Sequence, residues 1–76
     1  MSIRDEALAS SVRNALAQDK RIGGQAIMVR ATDGEVFLKG RVDQEEQREL
    51  ANLVAQGVPG VRHVRTDELV VREEQE

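Results

Sequence analysis

The strongest constraint on the fold is the alternation of apolar and charged residues in the segment 34–42, GEVFLKGRV. Val36, Leu38 and Val42 fall on one side of an extended chain, as a strand with one buried face requires. The charged residues fall on the other side, and so does Phe37, the only aromatic residue of the chain. The segment therefore predicts a β-strand whose solvent side carries one large apolar ring among charges.

A second strand precedes this one and is expected to pair with it in a hairpin. Apolar residues at every second position predict a strand over residues 26–31. The dipeptide of Asp33 and Gly34 between the two segments favours a two-residue turn, because glycine tolerates the positive φ that such turns require. The two strands are therefore predicted to be antiparallel.

The first amphipathic helix is predicted over residues 3–18, where apolar residues recur at three- and four-residue spacing. Ser2 and Asp5 have the spacing of a helix cap, in which a side-chain oxygen accepts a hydrogen bond from a free backbone amide. Two adjacent glycines then indicate a loop over 21–25. We expect Ile22 to return from that loop into the core.

The second amphipathic helix is predicted over residues 44–56, where the apolar stripe has the same spacing. Asp43 and Glu46 repeat the capping arrangement three residues apart. Gly57 suits the left-handed residue that ends many helices. A proline–glycine dipeptide follows and predicts a tight turn.

The last extended segment, residues 61–72, breaks the period of two. Val61 and Val64 are three residues apart, and Leu69 falls on the opposite parity from Val64. An extra residue in a strand shifts its side chains from one face to the other. We therefore predict a bulge near residues 65–68.

The order helix, strand, strand, helix, strand predicts an α+β fold with αββαβ order, in which two helices pack on one face of a three-stranded mixed β-sheet. Seventy-six residues are enough for one small domain, 1–76, with a core of about 3–72 and an acidic tail at 73–76. Gly40 lies on the helix side, where we expect its missing side chain to let the second helix approach, with a bulge as the alternative. The other sheet face meets solvent or a partner.

Composition excludes several classes of function. The formal charge is −3, whereas nucleic-acid-binding domains usually carry a basic excess, and readers of single strands need several aromatic residues. We therefore expect no nucleic acid as a partner. The chain has no cysteine and one histidine, His63, which has neither a nucleophile nor further metal ligands near it in sequence. We expect no enzyme activity, no catalytic residue, no cofactor and no metal cluster of side chains.

The beginning of the chain bears on its location. Most of residues 1–6 are polar or charged, and no apolar run follows them. This pattern fits neither a signal peptide nor a membrane-spanning segment. As written, the chain is expected to be cytoplasmic; an envelope location stays open if it was excised from a longer protein.

Several motifs occur together along the chain: DGEVFLKGRV at 33–42, GVRHV at 60–64 and LVV at 69–71. Apolar spacings and one aspartate add to them: Leu8, Val12, Ala15, Leu16, Asp19, Ile22, Ile27, Val29, Ala51, Val54, Ala55 and Val58. In this combination the sequence resembles the BON domain, the bacterial OsmY-and-nodulation module, over nearly its whole length.

The resemblance implies the same αββαβ order and a mixed sheet. Family members are mostly envelope proteins, and the module is proposed to bind phospholipid or to anchor proteins at membranes. The family has no known catalytic residue. A related cytoplasmic protein with a BON domain binds potassium, and potassium stays open as a ligand here, because a site of backbone carbonyls leaves no pattern in the sequence.

Strand parity assigns a set of side chains to the sheet face away from the helices. Three are apolar and would form one spot: Met28, Phe37 and Val70. Four are basic and would surround that spot: Arg30, Lys39, Arg41 and Arg72. Against them stand only the carboxylates of Glu35 and Glu68, so four positive and two negative charges leave this face with a net of +2 in an acidic chain.

Three interpretations of this face remain open. It is an ordinary exposed face whose residues pair across strands, it closes a homodimer, or it binds anionic phospholipid or a membrane-linked protein. A basic residue near an anionic membrane contributes about 1 kcal/mol, so the net charge of +2 contributes about 2 kcal/mol, and full burial of Phe37 adds about 1.5–3 kcal/mol. The sum corresponds to roughly millimolar affinity, so the lipid hypothesis, which we take as the leading one, predicts oligomerisation or a tether that adds avidity.

Overall fold

The structure is a computed structural model and describes residues 2–72. Its elements are α1 (Ile3–Gln18), β1 (Ala26–Thr32), β2 (Glu35–Val42), α2 (Glu45–Gln56) and β3 (His63–Val71). The predicted α+β fold and its αββαβ order are confirmed, and each predicted boundary lies within two residues of the observed one. The predicted acidic tail, 73–76, lies outside the described residues.

The sheet has the order β1-β2-β3, with β1 antiparallel and β3 parallel to the central strand β2. The hairpin turn between β1 and β2 is formed by Asp33 at φ 54° and Gly34 at φ 84°. Two successive positive φ values match the right-handed twist of the flanking strands. The turn sets Thr32 opposite Glu35, and this pairing fixes which residues of both strands face the helices.

The core lies between the sheet and the two helices. Its largest fully buried side chains come from every part of the fold: Val12, Ile22, Val36, Leu38, Val42, Leu69 and Val71. Ile22 is 1% exposed, so the predicted return of this residue from the loop into the core is confirmed. Small residues of α2, Ala51 and Ala55, let that helix lie close to the sheet.

The predicted bulge of β3 is confirmed. The register passes from Phe37 opposite Arg65 to Lys39 opposite Glu68, so β3 advances three residues where β2 advances two. The extra residue moves Leu69 to the same side as Val64, and both pack against the core. Without this shift, the second half of the strand would turn its apolar residues to solvent.

Hydrogen bonds from side chains hold the start of α1 against the hairpin. The Ser2 hydroxyl accepts a hydrogen bond from the backbone N–H of Asp5 at 3.1 Å, as the capping spacing predicts. The Asp5 carboxylate in turn accepts one from the backbone N–H of Asp33 at 3.0 Å. This bond favours the ionised carboxylate and lowers the pKa of Asp5.

The loop after α1 is folded around Asp19. Its carboxylate accepts hydrogen bonds from the guanidinium of Arg21 at 2.7 Å and from the Arg21 backbone N–H at 2.9 Å. These bonds lower the pKa of Asp19 to about 2. The Asp19 carbonyl accepts from the N–H groups of Ile22 and Gly23, which directs Ile22 into the core.

Both predicted ends of α2 are wrong in detail. Gln44, not Asp43, is the N-cap, and the Gln47 side chain accepts hydrogen bonds from the N–H groups of Asp43 and Gln44, each at 2.9 Å. The Gln47 side chain, three residues into the helix, therefore takes the place in the cap that we assigned to the Glu46 carboxylate. Gly57 ends the helix at φ −79° and ψ −6°, a right-handed conformation, and not in the left-handed one.

Glycine is required at position 40 for a different reason from the approach of α2 that we predicted. Gly40 adopts φ 137°, and a Cβ atom there would collide with the Ala26 carbonyl oxygen of the neighbouring strand β1. The missing side chain therefore allows the β1 backbone to approach, and not α2. Positive φ and the strand contact both require glycine at this position.

Candidate binding face

We call the sheet face opposite the helices the open face. It is made of the outward side chains of all three strands: Ala26, Met28, Arg30, Thr32, Glu35, Phe37, Lys39, Arg41, His63, Arg65, Glu68 and Val70. Among residues 2–72, the core and both helices lie on the other side of the sheet. Phe37 is on the open face, as parity predicts, and its neighbours Val36 and Leu38 are buried beneath the helices.

Phe37 lies at the centre of the open face, and it is only half-buried. The register sets Arg30 of β1 on one side of it and Arg65 of β3 on the other. Both arginines are exposed, and long basic side chains in such positions commonly lay their apolar stems along a neighbouring apolar group. The ring is therefore less available to a partner than the sequence alone indicates.

Met28 and Val70 are more exposed, at 64% and 38%. Met28 lies opposite Lys39 and diagonal to Phe37, whereas Val70 lies on the far side of Arg41. The register therefore brings Met28 next to Phe37 and separates Val70 from both by basic side chains. The three apolar residues do not form the single spot that we expected.

The four basic residues of the predicted site fall into two groups. Arg30, Lys39 and Arg41 are exposed and make no ion pair with any side chain in the described range, 2–72. Arg72 has its guanidinium 3.6 Å from the Asp43 carboxylate. The first group therefore carries the uncompensated positive charge, and it lies on β1 and β2.

The β3 side of the open face carries compensated charges instead. The Glu35 carboxylate lies 3.6 Å from the His63 ring and 3.8 Å from the Arg65 guanidinium, which is itself 3.6 Å from the Asp67 carboxylate. Arg65 was missing from the predicted site, because only the residues after the bulge were assigned to the open face. The sequence signal for Arg65 was Val64, because a valine that points into the core places the residues on either side of it on the outer face of the strand.

A shallow cleft of about 300 Å³ opens beside Phe37 where the register shifts. Leu38, Arg65, Asp67 and Glu68 complete its lining. Two carboxylates and one guanidinium at its rim make it a poor place for an anion. The anion-attracting part of the open face is therefore the β1–β2 half.

Two other kinds of feature are absent from residues 2–72. No helix there is long and apolar enough to cross a bilayer. No group of three or more histidine, aspartate or glutamate side chains in the same range is placed to hold a metal ion.

The chain is similar to known proteins over most of its length. A family model described as the BON domain matches residues 4–73. The osmotically-inducible protein Y of Escherichia coli (strain K12) is 35% identical over 63 residues, which are 83% of this chain and 31% of that protein. The chain thus spans about a third of the length of this relative.

Proposed function

The chain belongs to the BON domain family, and on that premise we propose that it is a non-catalytic binding module whose open face associates weakly with anionic phospholipid. A membrane-linked protein with an acidic surface is the second class of ligand that we propose for the open face. One observation supports this most: Arg30, Lys39 and Arg41 lie beside the exposed Met28 and form no ion pair within residues 2–72.

The position of these charges supports the proposal. They lie on one half of a flat sheet face, while the overall charge of the chain is −3. A protein with a net negative charge is repelled by an anionic surface, so a local basic strip orients it with this strip toward the surface. Of the two carboxylates of the open face, that of Glu35 lies 3.6 Å from the His63 ring and 3.8 Å from the Arg65 guanidinium, and Glu68 lies opposite Lys39 in the register.

The expected strength follows from the same residues. Arg30, Lys39 and Arg41 contribute about 1 kcal/mol each near an anionic membrane. Because Glu68 lies beside Lys39 and offsets one of these charges, the electrostatic contribution is about 2 kcal/mol. Burial of an exposed methionine adds about 1.5–3 kcal/mol. The total corresponds to roughly millimolar affinity. One domain is then a weak anchor, and linking two copies raises the avidity by about 10²–10⁴.

Co-sedimentation with phosphatidylglycerol vesicles tests the proposal, using the single chain and a tandem of two copies. We expect Lys39→Glu to weaken binding about tenfold or more, because it removes a positive charge and adds a negative one at the surface. Phe37→Glu is expected to abolish binding, since it places a charge at the centre of the open face. Added salt is expected to weaken binding by the wild type.

Arg13→Glu is the matched control, because Arg13 is exposed on α1 and the variant has the same net charge as Lys39→Glu. It should retain most of the wild-type binding. Equal losses in both variants would reject the open face as the site, and no binding even by the tandem would reject the lipid ligand. Light scattering identifies the homodimer alternative, in which Phe37→Glu would halve the measured mass.

A further inference from the structure

Met28 offers more free apolar surface than any other residue of the open face. It is 64% exposed, against 38% for Val70, and Phe37 is half-buried. The other strongly exposed apolar residues, Ile3 and Leu53, are on the helices. If the open face binds a lipid surface as proposed, the thioether of Met28 is therefore its main apolar contact.

The surroundings of Met28 are basic. Lys39 is its register partner on β2, Arg30 is two residues along the same strand on the same face, and Arg41 is diagonal to it. None of these three basic residues forms an ion pair with another residue of the described part of the chain. Apolar contact and anion-binding charge are thus concentrated around one sulfur atom.

We propose that Met28 is an oxidation site whose modification releases the open face from its anionic ligand, an inference that rests on the proposed function. The co-reactant is hydrogen peroxide. A bond forms between the methionine sulfur and one peroxide oxygen as the O–O bond breaks. The sulfur is oxidised by two electrons to the sulfoxide, and the peroxide is reduced to water.

The sulfoxide opposes binding in two ways. It converts a flexible apolar side chain into a polar one, so burial of the side chain against acyl chains no longer favours the bound state. Its oxygen is also a hydrogen-bond acceptor between Lys39 and Arg30, whose donors would otherwise contact lipid phosphate. We expect the oxidised protein to bind about tenfold or more weakly than the reduced one.

The experiment compares the wild type with Met28→Leu before and after treatment with hydrogen peroxide. Mass spectrometry of peptides records which methionine has gained oxygen, and co-sedimentation with phosphatidylglycerol vesicles records binding. Leucine retains an apolar contact and lacks the sulfur, and the variant keeps Met1 as an internal control for oxidation elsewhere. Circular dichroism checks that both proteins remain folded.

The expected result is loss of binding by the oxidised wild type and full binding by peroxide-treated Met28→Leu. Retained binding by a wild type with Met28 fully oxidised would overturn the inference, and so would equal losses in both proteins. Failure of the reduced wild type to bind vesicles, even as the tandem of two copies, would instead reject the proposed function, and the inference with it. Recovery of binding after treatment with a methionine sulfoxide reductase would support the inference further.

Discussion

Leu38→Ala is expected to lower the free energy of unfolding by about 2–5 kcal/mol, because it removes buried methyl groups and leaves a cavity that the core fills only in part. Leu38 is 1% exposed and lies on the central strand, directly beneath the helices. A domain of this size is expected to be stable by about 4–11 kcal/mol in total. Urea denaturation followed by circular dichroism measures the change.

Leu53→Ala makes the same chemical change at a residue of α2 that is 63% exposed. We expect an effect within about 0.5 kcal/mol, since no packed side chain is lost and alanine favours a helix. A small loss of stability in Leu38→Ala would show that the parity of β2 differs from the one described. A large loss of stability in Leu53→Ala would show the same for the packing of α2.

Gly40→Ala is expected to be the second most damaging change, at about 2–4 kcal/mol. Its φ of 137° is unfavourable for any residue with a side chain, and the added Cβ atom would collide with the Ala26 carbonyl oxygen. Strands β1 and β2 would have to separate at this point. Thermal unfolding monitored by circular dichroism would record the loss as a fall in Tm.

Gly24→Ala is the matched control for this change. A Cβ atom added at Gly24 would have no neighbouring atom within 4 Å, and the φ of this residue is not positive. Alanine there restricts the unfolded chain and is expected to change stability by no more than about 1 kcal/mol, in the stabilising direction. Similar Tm values for wild type and Gly40→Ala would contradict the close approach of the two strands.

The fold could be predicted from the sequence because its signals were redundant. The alternation in β2, the Asp33-Gly34 turn and the helical spacing each indicated the same arrangement, and the structure has all three. The bulge in β3 was also predictable, since Val64 and Leu69 must share one face despite their opposite parity. The caps of α2 were not, because Asp43 and Gln44 both precede the helix and only backbone geometry decides which of them caps it.

The open face was predictable in its parity but not in its pattern of charge. Parity alone assigned Phe37 and Lys39 to the same side of β2. Whether a basic residue forms an ion pair depends on the register of the strands and on the length of the side chains. Arg72, which follows β3, meets Asp43, which follows β2, and Arg65 of β3 meets Glu35 of the neighbouring strand β2. Such pairs join residues that are distant in sequence, so no local pattern indicates them.

The central claim is that the side of the sheet that carries Phe37 is uncovered in the free protein and becomes covered at an anionic membrane. The chain contains neither tryptophan nor tyrosine, so Phe37→Trp introduces a single indole fluorophore at that position. The matched control is Leu53→Trp, on the exposed side of α2.

Acrylamide quenching of the Phe37→Trp indole, with and without phosphatidylglycerol vesicles, is the measurement that tests this claim most directly. We expect acrylamide to quench this indole in the free protein. When vesicles are added, the quenching should fall and the emission should shift to the blue. The indole of Leu53→Trp should show neither change. An indole already shielded in the free protein, or one still fully quenched when the protein sediments with vesicles, would contradict the central claim.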